Sequence, residues 1–171
     1  MRNGVLVLAA IVACGAFVSL APGSSRASAA LPCQLALEFG SRTGDPGNQF
    51  QINLVVVNKD FVTCRLTGFP AVELIGPVDP LLGSIFTLPE QSGRSQVVAL
   101  RPGQRAHAVL TVLPPDRQSA QWAPGYVRVV VQTGAGPSFA MALPWRFGAV
   151  LRQDGASHPG TYIGPLRSGA G

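Results

Sequence analysis

Charge is scarce in this sequence. Of its 171 residues, 13 are basic and 8 acidic, 12% in all, about half the ~25% of an ordinary globular chain. Lysine occurs once, at Lys59, and there are two histidines, three cysteines and 7% aromatic residues. Each shortage excludes something. So few charges beside 47% apolar residues rule out a charge-rich disordered protein and a coiled coil. Gly and Pro are abundant but without strict Gly periodicity, which rules out collagen. No basic run exists; Arg94, Arg101 and Arg105 come nearest to a cluster, and nucleic-acid binding needs a concentrated basic face. The excess of Arg over Lys reads as coding bias toward GC-rich codons. The acidic residues are scattered and form no Asp-x-Asp pair, which argues against a calcium loop. The length suits one domain.

The N-terminus carries an address. Arg2 precedes an apolar or small run from Gly4 to Ala21, followed by Pro22-Gly23 and the small residues Ala27-Ser28-Ala29-Ala30. A charged start, an apolar stretch and an Ala-x-Ala site form a secretory signal. Cleavage is expected between Ala29 and Ala30, leaving 142 residues with 11 basic and 8 acidic groups, a net +3. Two rivals stay open. Ile11-Val12-Ala13-Cys14 fits a lipoprotein signal with Cys14 lipidated, although Gly15–Ala21 stays apolar where such signals turn polar. An uncleaved anchor is the other, since this run just approaches the ~20 residues that span a bilayer.

Cysteine arithmetic agrees with export. Cys14, Cys33 and Cys64 are the three; removing the signal leaves one pair. Cys33–Cys64 is then the one possible intramolecular disulfide in an oxidising compartment, with two free buried thiols as the alternative. Two Cys without a second ligand pair make a poor metal site, so no metal and no cofactor are expected.

The mature chain alternates with period two and shows no sustained helical spacing. Leu35, Leu37 and Phe39 alternate with Gln34, Ala36 and Glu38; Phe50, Ile52, Leu54 and Val56 share one face; Val62, Cys64 and Leu66 make a third set and Val72 with Leu74 a fourth. Runs at 84–88, 96–100, 106–113, 126–133 and 139–143 follow. Breakers separate them, among them Asn58-Lys59-Asp60, Gly68-Phe69-Pro70, Gly76-Pro77, Arg101-Pro102-Gly103 and Gly134-Ala135-Gly136-Pro137. About 8–9 short strands at this spacing predict an all-β fold, an immunoglobulin-like antiparallel β-sandwich preceded by a signal helix. The domains are then 1–29 signal peptide, 30–152 sandwich and 153–171 Gly-rich segment. In that last segment 161–163 form a short strand and the chain from Ser168 on is disordered. Asn58–Phe61 is short enough to join neighbouring strands, as is Gly134–Pro137. The apolar run around Val127, Val129, Val130 and Val131 suggests a central strand or a face covered by a partner.

Two motifs stand out: Cys64-Arg65-Leu66-Thr67-Gly68-Phe69-Pro70, with Asn58 six residues ahead, and Leu100-Arg101-Pro102-Gly103-Gln104-Arg105-Ala106. Together they resemble a family of secreted actinobacterial domains of unknown function, serial four-two-three-two, over roughly Leu31 to Phe147. The resemblance implies a sandwich-like extracytoplasmic domain and brings no activity or catalytic residue. The later Cys pair that many such domains carry is missing. The motifs also have local readings: Gly68 before Pro70 permits a sharp turn after the disulfide strand, and Pro102-Gly103 suits the centre of a type II turn.

Catalytic constellations are thin. His107 lies in an alternating run and His158 in a loop; both read as surface or hydrogen-bonded histidines. Ser84, His107 and Asp116 make a triad only on paper, without a Gly-x-Ser-x-Gly elbow. Trp122 and Trp145 flank strands and read as core anchors, with a ligand platform as the alternative. The resulting expectation is a secreted or envelope-associated, non-catalytic binding module, with an envelope or extracellular protein or ligand as partner, no nucleic acid, and membrane contact only through the N-terminal segment. The alternatives are an envelope hydrolase using His107 or His158, and a structural envelope component held by residues 4–21.

Overall fold

A computed structural model describes residues 33–44, 48–134, 136 and 138–171. The expected signal helix over 1–29, Cys14 and the Ala29–Ala30 cleavage site lie outside the described residues.

The described chain is all β. Its strands are β1 (Leu35–Thr43), β2 (Phe50–Asn58), β3 (Cys64–Asp79), β4 (Gly83–Thr87), β5 (Val97–Leu100), β6 (Arg105–Val112), β7 (Tyr126–Thr133), β8 (Phe139–Pro144), β9 (Tyr162–Ile163) and β10 (Arg167–Ser168). One sheet runs β1-β2-β6-β10, with β9 also on β6; the other runs β4-β3-β7-β8, with β5 also on β3. All strand pairs are antiparallel. Alternation explains why these segments are strands. In β2, Phe50, Ile52, Leu54 and Val56 point inward and meet Leu66, Val72, Leu74, Val127, Val129 and Val131 of the opposing sheet in one apolar core. Burying each such side chain contributes about 1.5–3 kcal/mol. β7 is central, between β3 and β8, as its run of valines predicts.

Three local expectations need correction. The third and fourth sets are one 16-residue strand, β3, which passes through both Gly68-Phe69-Pro70 and Gly76-Pro77. The register against β7 shifts between Thr67 and Ala71, so the break is a bulge rather than a sharp turn. The reason is that β5 pairs with the first part of β3 and β4 with the second; the strand has to kink between them, and a bulge with Gly68 at φ 80° supplies the kink. Pro70 falls inside the shift, where no ladder donor is needed. Second, the link after Asn58 does not join neighbours. β2 already has β1 and β6 on its two sides, so the chain crosses to the other sheet. Gly134–Pro137, by contrast, leads directly from β7 to its neighbour β8. Third, the chain from Ser168 is ordered in place: Ser168 pairs with Ala106, and Gly169 N–H donates to Arg105 O at 2.9 Å. Ile163 and Leu166, in the Gly-rich segment, are fully buried.

Cys33 and Cys64 are disulfide-bonded, Cα atoms 5.9 Å apart. The bond ties the start of one sheet to the start of the other, and the chain-entropy model gives it about 3–4 kcal/mol.

Candidate functional site

The two motifs meet at one end of the sandwich, around Asn58, whose side chain is fully buried. Its Nδ2 donates to Val62 O and Leu100 O, both at 2.8 Å, and its Oδ1 accepts from Asp60 N–H at 2.9 Å. Its main chain donates to Gln104 O at 3.0 Å and accepts from Gly103 N–H at 2.9 Å. The turn it grips closes with Gln104 N–H on Arg101 O at 2.9 Å, with Gly103 at φ 75°, the type II geometry that Pro102-Gly103 predicts. These motif residues therefore build a hydrogen-bonded clamp beside the disulfide. A buried amide that satisfies this many main-chain groups is costly to replace.

The sandwich has two flanks. On one, the tail stitches the sheets together. Ile163 N–H donates to Pro89 O, Gln91 N–H to Ile163 O, and Leu166 N–H to Gly68 O. Arg152, its side chain 4% exposed, caps the edge strand β4. Its guanidinium donates to Gly83 O at 2.7 Å, Leu82 O at 2.8 Å and Ile85 O at 2.9 Å, pairs with Asp154, and lies 4.7 Å over the Trp122 ring. The β3–β4 hairpin beneath it ends in an apolar tip: Leu81 is 93% exposed, with Val78 and Leu82 also exposed; Ile85 of β4 and Tyr126 of β7, both paired with Ile75, are exposed as well. Asp79 Oδ1 accepts the N–H groups of Leu81 and Leu82, and these two hydrogen bonds hold its carboxyl below the usual carboxylate value.

The other flank is open. There β1 and β8 are the terminal strands of their sheets. Between them lies a cleft of about 330 Å³ lined by Leu37, Glu38, Phe39, Leu143, Pro144 and Arg146. That volume is at the small end of ligand sites. The inward side chains of β8 — Phe139, Met141 and Leu143 — are only half-buried, unlike those of the central strands. Beside the cleft, Phe39, Trp145 and Phe147 pack edge to face, centroids 4.8–6.3 Å apart. Arg146 lies 5.8 Å over the Phe39 ring and is exposed, with no carboxylate partner among the described residues. Glu38 is already paired with Arg105 at 3.0 Å.

The sequence-predicted site residues are dispersed. Trp122 and Trp145 are 7% and 8% exposed, and their Nε1 groups donate to Pro77 O and Gly148 O; these rings are core anchors with a satisfied polar end. Trp145 backs the cleft through its neighbours without lining it. His107, half-buried on β6, has Nδ1 3.1 Å from Gly169 O. His158 is exposed, its Nδ1 3.2 Å from Ser157 Oγ. Ser84 stands on β4 in the opposite sheet from His107. Asp116 Oδ1 accepts from Gln118 and Ser119 N–H, and hydrogen bonds from Ser119, side chain first, hold its carboxyl low. The paper triad is not assembled. Sequence reasoning missed Arg146, Phe39, Phe147 and Arg152. The triplet Trp145-Arg146-Phe147 just after a strand-ending Pro144 was a visible signal for the cleft; Arg152 carries none, because its partners are carbonyls 67–70 positions upstream.

The family described as Domain of unknown function (DUF4232) matches residues 32–161. The chain belongs to that family. That membership assigns no activity. No curated protein matches the chain. Among solved structures, β-glucosidase from Listeria innocua in complex with isofagomine is similar at 12% identity and TM-score 0.30, over 66% of this chain and 16% of that one. A mutant of that enzyme in complex with laminaribiose is similar at 14% identity and TM-score 0.30, over 70% and 17%. This chain thus spans about a sixth of those chains, and a likeness at that TM-score bears on neither fold nor activity.

Proposed function

We propose that this DUF4232 domain is a non-catalytic binding module of the cell envelope or medium, and that the open-flank cleft holds an apolar group of its ligand beside the Arg146 cation. The observation that carries this reading is the cleft itself: an apolar, aromatic-backed recess with one uncompensated charge at its rim. Recesses of this kind bind by apolar burial, with a few polar groups fixing orientation. The signal-like N-terminus and the disulfide support an extracytoplasmic setting, where such bonds persist. The test uses anilinonaphthalene sulfonate, an aromatic anion, as probe. Its fluorescence is expected to rise with the native protein and to fall at least several-fold in Arg146→Glu, a change at an exposed position. Unaltered dye binding in Arg146→Glu, with loss in Leu81→Glu, would move the binding surface to the β3–β4 tip and overturn the cleft.

A further inference from the structure

The open flank offers more than a recess. Ladder alternation fixes which main-chain groups of β8 face outward. Gly134 N–H donates to Arg65 O, and Trp145 N–H to Gly125 O; with Val127 opposite Leu143 and Val129 opposite Met141, residues 139, 141 and 143 bond to β7. Ala140 and Ala142 therefore turn their N–H and C=O groups away from the sheet, toward the flank. Pro144, which has no N–H, occupies the next outward position, as prolines of edge strands do. Natural edges are blunted by charges, by bulges or by covering segments. The β4 edge is covered by Arg152, and β1 carries Glu38, Arg42 and a register shift. The β8 edge, from Phe139 to Pro144, carries no charge, and its pairing with β7 shows no shift.

We infer that the open flank takes up an extended peptide as an added strand along β8, with an acidic side chain of that peptide pairing with Arg146. The inference rests on the cleft reading above and specifies its ligand. Three observations support it together. The outward Ala140 and Ala142 groups match the main chain of an extended strand. The inward side chains of such a strand would cover Phe139, Met141 and Leu143, which the protein alone leaves half-exposed. Arg146 adjoins the cleft without a carboxylate of its own. Charge also selects against a second copy of this chain. Its β8 has no acidic residue to offer, its Glu38 is paired, and its β4 edge is capped.

The probes are synthetic nine-residue peptides of alternating valine and threonine with one glutamate at each position in turn, and the same set with lysine. The readout is amide hydrogen exchange of the full protein. At least one glutamate peptide is expected to slow exchange at Ala140 and Ala142 about tenfold, and its lysine counterpart to do nothing. Arg146→Glu should invert that preference, and Arg146→Gln should flatten it. Absence of protection with every peptide, or equal protection by the two sets, overturns the inference. Protection that grows with protein concentration and needs no peptide makes a second copy the occupant and also overturns it. Dye bound in the cleft without any amide protection removes strand addition alone and leaves the cleft reading standing; loss of the dye result removes both.

Discussion

The two flanks start from the same difficulty, a terminal strand with half its main-chain groups unpaired, and treat it in opposite ways. On the β4 side the chain returns after β8, and parts of its tail cover the gap. Ile163 and Leu166 fill the space between the sheets, and Arg152 satisfies the carbonyls of the exposed edge. On the β1–β8 side nothing among the described residues returns. The apolar residues there stay half-buried, and a cleft remains. One chain thus shows what closing a flank requires, and the flank left unclosed is the one able to receive something else.

The comparison breaks first at Arg152. Its side chain is nearly inaccessible and serves three carbonyls, Asp154 and the Trp122 face at once. Truncation leaves those acceptors and a carboxylate without their partner, a loss of roughly 3–5 kcal/mol when a buried charged group is removed. Arg152→Ala should lower the urea midpoint accordingly, with m unchanged. A midpoint within experimental error of the native one would mean that the tail closes the flank through Ile163 and Leu166 alone.

A pair of phenylalanines sharpens the contrast at smaller scale. Phe86 on β4 is 1% exposed, whereas Phe139 on β8 is half-buried at the open edge. Phe86→Ala should cost about 3–5 kcal/mol, the range for a fully buried aromatic. Phe139→Ala should cost about half of that, because much of its ring already meets water and no sealed cavity is left behind. Equal losses, measured by denaturant unfolding, would show the flanks to be packed alike.

How much of this was legible follows from where the partners lie. Period-two alternation announced β2, β6 and β7 because each buries a face along its own length, and the type II turn at Pro102-Gly103 was legible because Pro and Gly preset its dihedrals within four residues. Gly68-Phe69-Pro70 misled for the same reason: a breaker signal is local, while its outcome, a bulge within β3, depends on β4 and β5 sharing one side of that strand. The end of the Gly-rich tail read as disordered because its placement depends on contacts with β6 and β3, far back in the chain. The open flank lay beyond sequence reading altogether, since it is defined by strands that do not pair. Of the candidate site, Trp145 gave the position and little else; the chemistry is in Arg146 and Phe39, which become neighbours only when β1 and β8 end their sheets side by side.

The smallest expected effect belongs to the hairpin tip on the closed flank. The Asp79 carboxylate accepts the Leu81 and Leu82 N–H groups, and these hydrogen bonds favour its charged form, so its folded value lies below the ordinary one. A group whose value is depressed on folding contributes order above the unfolded value, about 3.9, and loses it as pH falls through the lower folded value. The Leu81 and Leu82 amide shifts should therefore titrate together with a midpoint below the usual carboxylate range, and Asp79→Asn should abolish the titration. Ala140 and Ala142 on the open flank should not respond, because no carboxylate holds that edge. A midpoint at or above the ordinary value would mean that the tip is not held by Asp79. Its exposed leucines would then sit on a loose loop, and the contrast between a fastened flank and an open one would rest on Arg152 and the tail alone.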